Sequence, residues 1–371
     1  MLKTTRLALA ALLLPVSATA DTDFSRSVDA VFAGIGADEP GCAAGVIHRG
    51  EFVHEVGYGL ANLEYGIPIT PKTVFRTGSL GKQFTAMAIA ILAERGDLDL
   101  DADVHTYLPD LIDYGYEVTV RQMVHHFAGM GDYDHEIFRK PDGSEFRFGN
   151  EDFLTNDEFY RLVAKAKLVL EPGTTWQYSN LGYFLLGHVV ESASGKSLRD
   201  FAAEEIFGPL RMDSTRFNDN VNQIVKNRAD GYRKMEDGSY EIYMTNLSWV
   251  GDGGVYTTID DFIRWDRNFY DNRLGSGKPS LIERVETPLP GMFEVTEDGR
   301  KPVHYAFGLE IDEKFGERVI RHGGSWVGFT ALYNRFPDLE LSVVVFCNSE
   351  ELSAYDLGDR VSEIAVAAFR D

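Results

Sequence analysis

Phe75-Arg76-Thr77-Gly78-Ser79-Leu80-Gly81-Lys82-Gln83-Phe84-Thr85-Ala86-Met87 is the stretch on which the reading of this 371-residue chain turns. A glycine-containing turn gives way there to a helix-favouring run over residues 83–95. In such a helix Ser79 and Lys82 lie at i and i+3 and share one face. A serine hydroxyl is a poor nucleophile until something takes its proton. A lysine one turn away can take it only if burial or neighbouring positive charge pulls its pKa far below ~10.4. One S-x-x-K match is expected on the order of once in a chain of this length, so other residues must support it.

Two further stretches do. Tyr178-Ser179-Asn180 follows Glu171-Pro172-Gly173-Thr174-Thr175-Trp176, a turn-rich approach that puts the triplet on a loop. His322-Gly323-Gly324-Ser325 ends the β-prone run Arg318-Val319-Ile320-Arg321 and precedes Trp326. S-x-x-K, then Y-x-N, then a basic residue before paired glycines is far rarer by chance than any one of them. The combination resembles the serine β-lactamase and penicillin-binding protein superfamily. The Y-x-N and His-Gly-Gly variants are most similar to its class C β-lactamase branch, which also holds D,D-carboxypeptidases, D-aminopeptidases and carboxylesterases.

The resemblance covers nearly all of residues 21–371. It implies an α/β (α+β) fold in which an antiparallel sheet from both chain ends, 21–78 and 300–371, packs on a mainly helical part, 79–299. The active site then lies in the groove between them. Ser79 is implied as the acyl-accepting nucleophile, with Lys82 and Tyr178 as proton-transfer groups; which of the two takes the proton stays open. Positive charge on Lys82 and His322 would lower the Tyr178 pKa by favouring phenolate. Asn180, with donor and acceptor on one amide, suits holding Lys82 and a substrate amide together. By resemblance, the backbone N–H groups of Ser79 and Ser325 are the two oxyanion donors. Gly323 and Gly324 would let a substrate backbone approach the strand.

His322 stands where many relatives carry lysine. A histidine with an ordinary pKa near ~6.5 is mostly uncharged at neutral pH, which weakens attraction for a substrate carboxylate. Arg321 points to the opposite side of the strand. Ester or D-amino-acid amide cleavage is therefore expected ahead of β-lactam turnover. A class C-type β-lactamase is the alternative. The rival of another class is a non-catalytic penicillin-binding or sensor protein, which needs a broken Ser, Lys or Tyr; none is broken here.

The first twenty residues read as a secretory leader, with Lys3 and Arg6, an apolar run over 7–14, and Ala18-Thr19-Ala20 before Asp21. That run is too short to span a membrane comfortably, and no cysteine follows the expected cut for a lipid anchor. The expected product is exported, periplasmic or secreted. The chain carries 36 basic and 58 acidic residues, a net charge of −22, or −24 without Lys3 and Arg6. Such a surface argues against nucleic acid and anionic membranes as partners and leaves a small-molecule or peptide substrate, such as a cell-wall peptide.

Residues 21–37 have helical spacing, with Phe24, Val28, Val31 and Phe32 on one side. Residues 42–47 and 52–57 read as strands joined by a tight turn. Clear helices are expected over 197–206 and 260–269, a turn at 140–143, strands over 303–312, 318–322, 330–336 and 341–346, and a closing helix over 352–369. Cys42 and Cys347 are the chain's two cysteines. In an exported chain pairing is the default, and the family's sheet order implies that their strands are neighbours; two separately buried thiols are the alternative.

Other patterns are weaker. His125 and His126, with Asp134 and His135, lack the spacing of a metal site, and adjacent histidines on a regular element point apart. No metal or cofactor is expected. His126 falls where the family usually has a histidine before Thr-Ser-Gly, but Phe127-Ala128-Gly129 follows here, losing two hydroxyls. Gly251-Asp252-Gly253-Gly254 lacks the following Lys-Ser or Lys-Thr of a phosphate loop. Thr77 replaces the first glycine of a G-x-S-x-G elbow, which disfavours an α/β-hydrolase. The loops over 130–165 and 285–305 are expected to shape the pocket.

Overall fold

The computed structural model describes residues 20–140 and 147–370. The leader, apart from Ala20, and Pro141-Asp142-Gly143 of the expected turn lie outside the described residues.

Both chain ends build one six-stranded antiparallel sheet. Its strands are β1 (Cys42–His48), β2 (Glu51–Tyr58), β3 (Glu310–Lys314), β4 (Glu317–Trp326), β5 (Phe329–Phe336) and β6 (Leu341–Cys347). Their spatial order is β3-β4-β5-β6-β1-β2. The helices that matter for the site are α1 (Ala20–Val31), α2 (Lys82–Arg95), α3 (Asn180–Ser194), α4 (Ile259–Asn268) and α5 (Ala354–Phe369).

The sheet is covered on both faces, which explains why β6 reads as one apolar run rather than an alternation. Cys42, Ala44, Val46, Val343 and Val345 pack against Val28 and Phe32 of the first helical segment and Val361 and Ala365 of α5. Ala43, Val344 and Phe346, at the intervening positions, face the helical body. A period of two thus sorts one strand between two cores. At the centre of the larger core lies α2, buried continuously over residues 82–92. A helix apolar all round belongs inside. Gly96, left-handed at φ 80°, ends it.

Several elements differ from expectation. α1 ends at Val31, where the chain enters turns around Gly34 and Gly36. The strand read over 303–312 forms only at Glu310–Lys314. Ahead of it the chain is tied in a turn, with Ala306 N–H donating to Leu309 O at 2.7 Å and Ile311 N–H to His304 O at 2.8 Å. Tyr305 and Phe307 are carried inward. The helical middle also holds short strands, among them Val255–Thr257 and the Phe293–Thr296 and Gly299–Pro302 pair. The long helix α3 is a further addition to the sequence reading. Over 197–206, Ser197 caps a short α-helix, Leu198–Ala202, that runs into a π-helical turn, Ala203–Phe207.

Cys42 and Cys347 are paired in register on the neighbouring strands β1 and β6 and form a disulfide that closes 305 residues of chain. Titration of denatured, unreduced protein should find no free thiol, and replacing both cysteines by alanine should lower stability to urea by about 2–5 kcal/mol. Two titratable thiols would refute the bridge.

Candidate active site

Phe75–Arg76 pairs with Val255–Thr257, and Gly78–Gly81 then forms a 3-10 turn leading into Lys82 at the start of α2. In a 3-10 turn residues i and i+3 eclipse one another. Ser79 and Lys82 are therefore brought together more directly than a regular helix would bring them, with Lys82 Nζ 3.0 Å from Ser79 Oγ. The turn fits against the end of β4 through two glycines. Gly78 takes φ 52° with its Cα facing Ser325, and a Cβ on Gly324 would sit 2.0 Å from Thr77 O and 2.8 Å from Ser79 N. In this structure the close approach that Gly324 permits is to the nucleophile's own turn.

Lys82 is fully buried and donates to Ser79 Oγ at 3.0 Å, Asn180 Oδ1 at 2.6 Å and Asp252 O at 2.5 Å. Burial pulls its pKa down to about 8, against the opposing pull of the Asp252 and Asp132 carboxylates. Asn180 stands at the first position of α3, after Ser179, whose hydroxyl caps the helix by accepting from Gly182 N–H. The Asn180 amide holds Lys82 at one end, as expected. Its other end donates to Asp132 at 2.8 and 3.1 Å rather than being left for a substrate amide. The loop carrying Asp252 is fixed to α2, where Thr85 donates to Gly251 O at 2.7 Å. The Asp252 carboxylate accepts from the Tyr133 hydroxyl, and Trp249 Nε1 donates to Tyr133 Oη at 3.0 Å.

Tyr178 places its ring 4.8 Å from Lys82 Nζ and 4.3 Å from the His126 ring. Its pKa moves opposite to the expectation. Burial holds the phenol well above the ordinary tyrosine range, and the hydrogen bond with Ser79 offsets this only in part. Of the two expected positive neighbours, Lys82 is present but His322 is buried and neutral, and desolvation of the phenol itself is the larger effect. Burial and the Lys82 charge pull His322 down to about 3, and His126 is pulled well below its usual range for the same reasons.

His322 sits behind the cavity wall. Its Nδ1–H donates to Gly323 O at 2.6 Å, which leaves Nε2 to accept from the Tyr305 hydroxyl at 3.1 Å. Both nitrogens are engaged in this structure, one with the strand backbone and one with Tyr305. His125 Nδ1 donates to Tyr305 O at 2.8 Å, and His126 Nδ1 accepts from Ser179 N–H at 3.0 Å.

Ser79 opens into a cavity of about 250 Å³, together with Asn180, Ser325, Trp326, Arg76 and Asp252. Ser79 and Ser325 thus face the same space. Of the loops expected to shape the pocket, 130–165 contributes Tyr133, which is joined by Trp249 and the Asp252-Gly253-Gly254 turn; 285–305 contributes no lining residue. Sequence reasoning missed Asp132, Tyr133, Trp249 and Arg76. The one available signal was Asp252, an acidic residue inside a glycine turn.

The β-lactamase family profile matches residues 28–368. A D-aminopeptidase of Gluconobacter oxydans is 29% identical over 310 residues, covering 83% of this chain and 56% of that enzyme. A penicillin-binding protein of Bacillus subtilis is 28% identical over 327 residues, 83% of this chain and 68% of its own length. The chain thus spans little more than half the length of the D-aminopeptidase it matches. Among solved structures, an octameric penicillin-binding protein homologue from Pyrococcus abyssi superposes with a TM-score of 0.78 at 26% identity, over 93% of this chain and 77% of that one.

Gly324→Ala should push the Ser79 turn off β4, because backbone on both sides leaves no side chain to give way. A displacement of about 1 Å at a reacting group costs on the order of 100-fold. Hydrolytic kcat/KM should fall by at least that much; a fall of less than about threefold would show that the fit is slack.

Proposed function

The chain belongs to the β-lactamase family, and from that premise we propose that it is a serine hydrolase that acylates Ser79 and cleaves D-amino-acid amide or ester bonds. One observation carries the reading. A fully buried lysine, its pKa drawn to about 8, holds its nitrogen 3.0 Å from the Ser79 hydroxyl. The substrate class is supported by the D-aminopeptidase and penicillin-binding relatives. The leader-like first twenty residues and the paired cysteines favour an exported enzyme.

In the proposed cycle, neutral Lys82 takes the Ser79 proton as Oγ attacks the substrate carbonyl carbon. The resulting oxyanion is held by the backbone N–H groups of Ser79 and Ser325. As the C–N or C–O bond breaks, the proton held on Lys82 is returned to the leaving atom, directly or through the Tyr178 hydroxyl, and Ser79 is left as an acyl ester. Water then attacks that ester, its oxygen bonding to the acyl carbon. Neutral Lys82 takes one of the water's protons and passes it to Oγ as the ester bond breaks and the acid leaves. The raised pKa of Tyr178 favours Lys82 as the base: a phenol that stays protonated can donate to the leaving atom but is not available as phenolate.

A fluorophosphonate should add one adduct to the tryptic peptide 77–82, and none at Ser179 or Ser325. The kcat/KM for a D-alanine amide should rise with pH through about 8, because the protonated lysine below that value cannot accept the Ser79 proton. Tyr178→Phe should be slower but keep the same rising limb. Labelling away from Ser79, or full activity in Ser79→Ala, would sink the proposal.

A further inference from the structure

Arg76 is 8% exposed, yet among the described residues its guanidinium has no acid partner. Its Nε is buried without any hydrogen-bond acceptor, and no ion pair or hydrogen bond of its side chain is found among the described residues. The head group lies 5.5 Å from the centre of the Trp326 ring, and both residues line the cavity that contains Ser79. An arginine cannot shed its charge. Stacking on an indole offsets only part of the cost of burying it.

The fold treats its other deeply buried arginine differently. Arg335, 2% exposed, also leaves its Nε without a partner, but its guanidinium is paired with Glu286 and stacked on Phe269. A guanidinium kept only for packing is expected to look like that one. Arg216, opposite Arg76 across Tyr256 in the short sheet, also has a buried, unpartnered Nε, but the residue as a whole is only half-buried and does not line the cavity. Arg76 is thus the buried cation left unsatisfied at the catalytic cavity. It also supplies the positive charge that neutral His322, turned away behind the wall, does not.

We propose that Arg76 is the anion anchor of this cavity and selects substrates that carry a free carboxylate, such as D-peptides with an unblocked C-terminus, over the matching amides. The forked donors of a guanidinium suit a carboxylate, and the bound anion would complete a site that is otherwise short of one negative partner. The inference rests on the acyl-transfer reading of Ser79 for its kinetics but not for its binding.

The test compares acetyl-D-alanyl-D-alanine with acetyl-D-alanyl-D-alaninamide, which share the scissile bond and differ in the terminal charge. Wild-type kcat/KM should favour the acid by at least about tenfold, the usual range for a hydrogen bond to a charged group. In Arg76→Gln that ratio should fall to within about threefold of one. A wild-type ratio near one, or an unchanged ratio in the variant, would overturn the proposal. Calorimetric titration of the wild-type protein with N-acetyl-D-alanine and with its amide gives a readout that requires neither turnover nor a folded variant. Tighter binding of the acid by at least about tenfold supports the anchor even if Ser79 is never acylated, and equal affinities reject it.

Discussion

The site is built around one expensive object, the buried nitrogen of Lys82. Taking an ammonium group out of water costs several kcal/mol unless its protons are all accepted. Here the three acceptors come from three separate parts of the chain: the Ser79 turn, the first residue of α3, and the loop at Asp252. None can move far without exposing the lysine or leaving one of its protons unpaired. The same bonds that solvate Lys82 therefore set the position of Ser79 relative to the cavity wall. They also tie the loop after residue 249 to the helix that carries the base.

Electrostatically the arrangement is a balance of opposed effects. Burial favours the neutral amine, while Asp132 and Asp252 favour the ammonium. The outcome, about 8, leaves an appreciable neutral fraction near physiological pH without stripping the amine of its basicity. The surrounding imidazoles contribute by staying uncharged. His125 is held near 4 and His322 near 3, chiefly by burial. A charged histidine among them would push the lysine lower still and weaken it as a base. Tyr178, kept as a phenol by the same dry surroundings, can then act on the opposite side of the proton traffic.

What could be read from the sequence divides along contact range. Ser79 and Lys82 interact across three positions, so their spacing alone announces them. The long-range contacts were legible only through resemblance, which supplied Tyr178, Asn180 and the neighbouring strands of Cys42 and Cys347. Asp132 meets Asn180 from 48 residues away, and Tyr133 meets Asp252 from 119. No local pattern marks such pairs. The strand read over 303–312 failed for a different reason. Short apolar runs do not distinguish a strand from a buried turn, and Tyr305 is held inward by hydrogen bonds with His125 and His322, with a single bridge to Glu310 in place of a strand ladder. The Tyr178 pKa was misjudged because the sequence does not show how deeply the phenol itself is buried.

The histidine at 322 and the arginine at 76 are two halves of one solution. Residue 322 is buried beside the same dry pocket as Lys82, and the two influence each other's protonation. A lysine at 322 would bring a second ammonium into that pocket, to be neutralised or paired at considerable cost. Histidine avoids the conflict because it can be neutral and still use both nitrogens, donating to Gly323 O and accepting from Tyr305. The positive charge stands instead at Arg76, on the cavity lining, where Trp326 shields it in part. That position keeps a second ammonium away from Lys82, while the charge that faces the cavity sits on the short strand leading into the turn that carries the nucleophile.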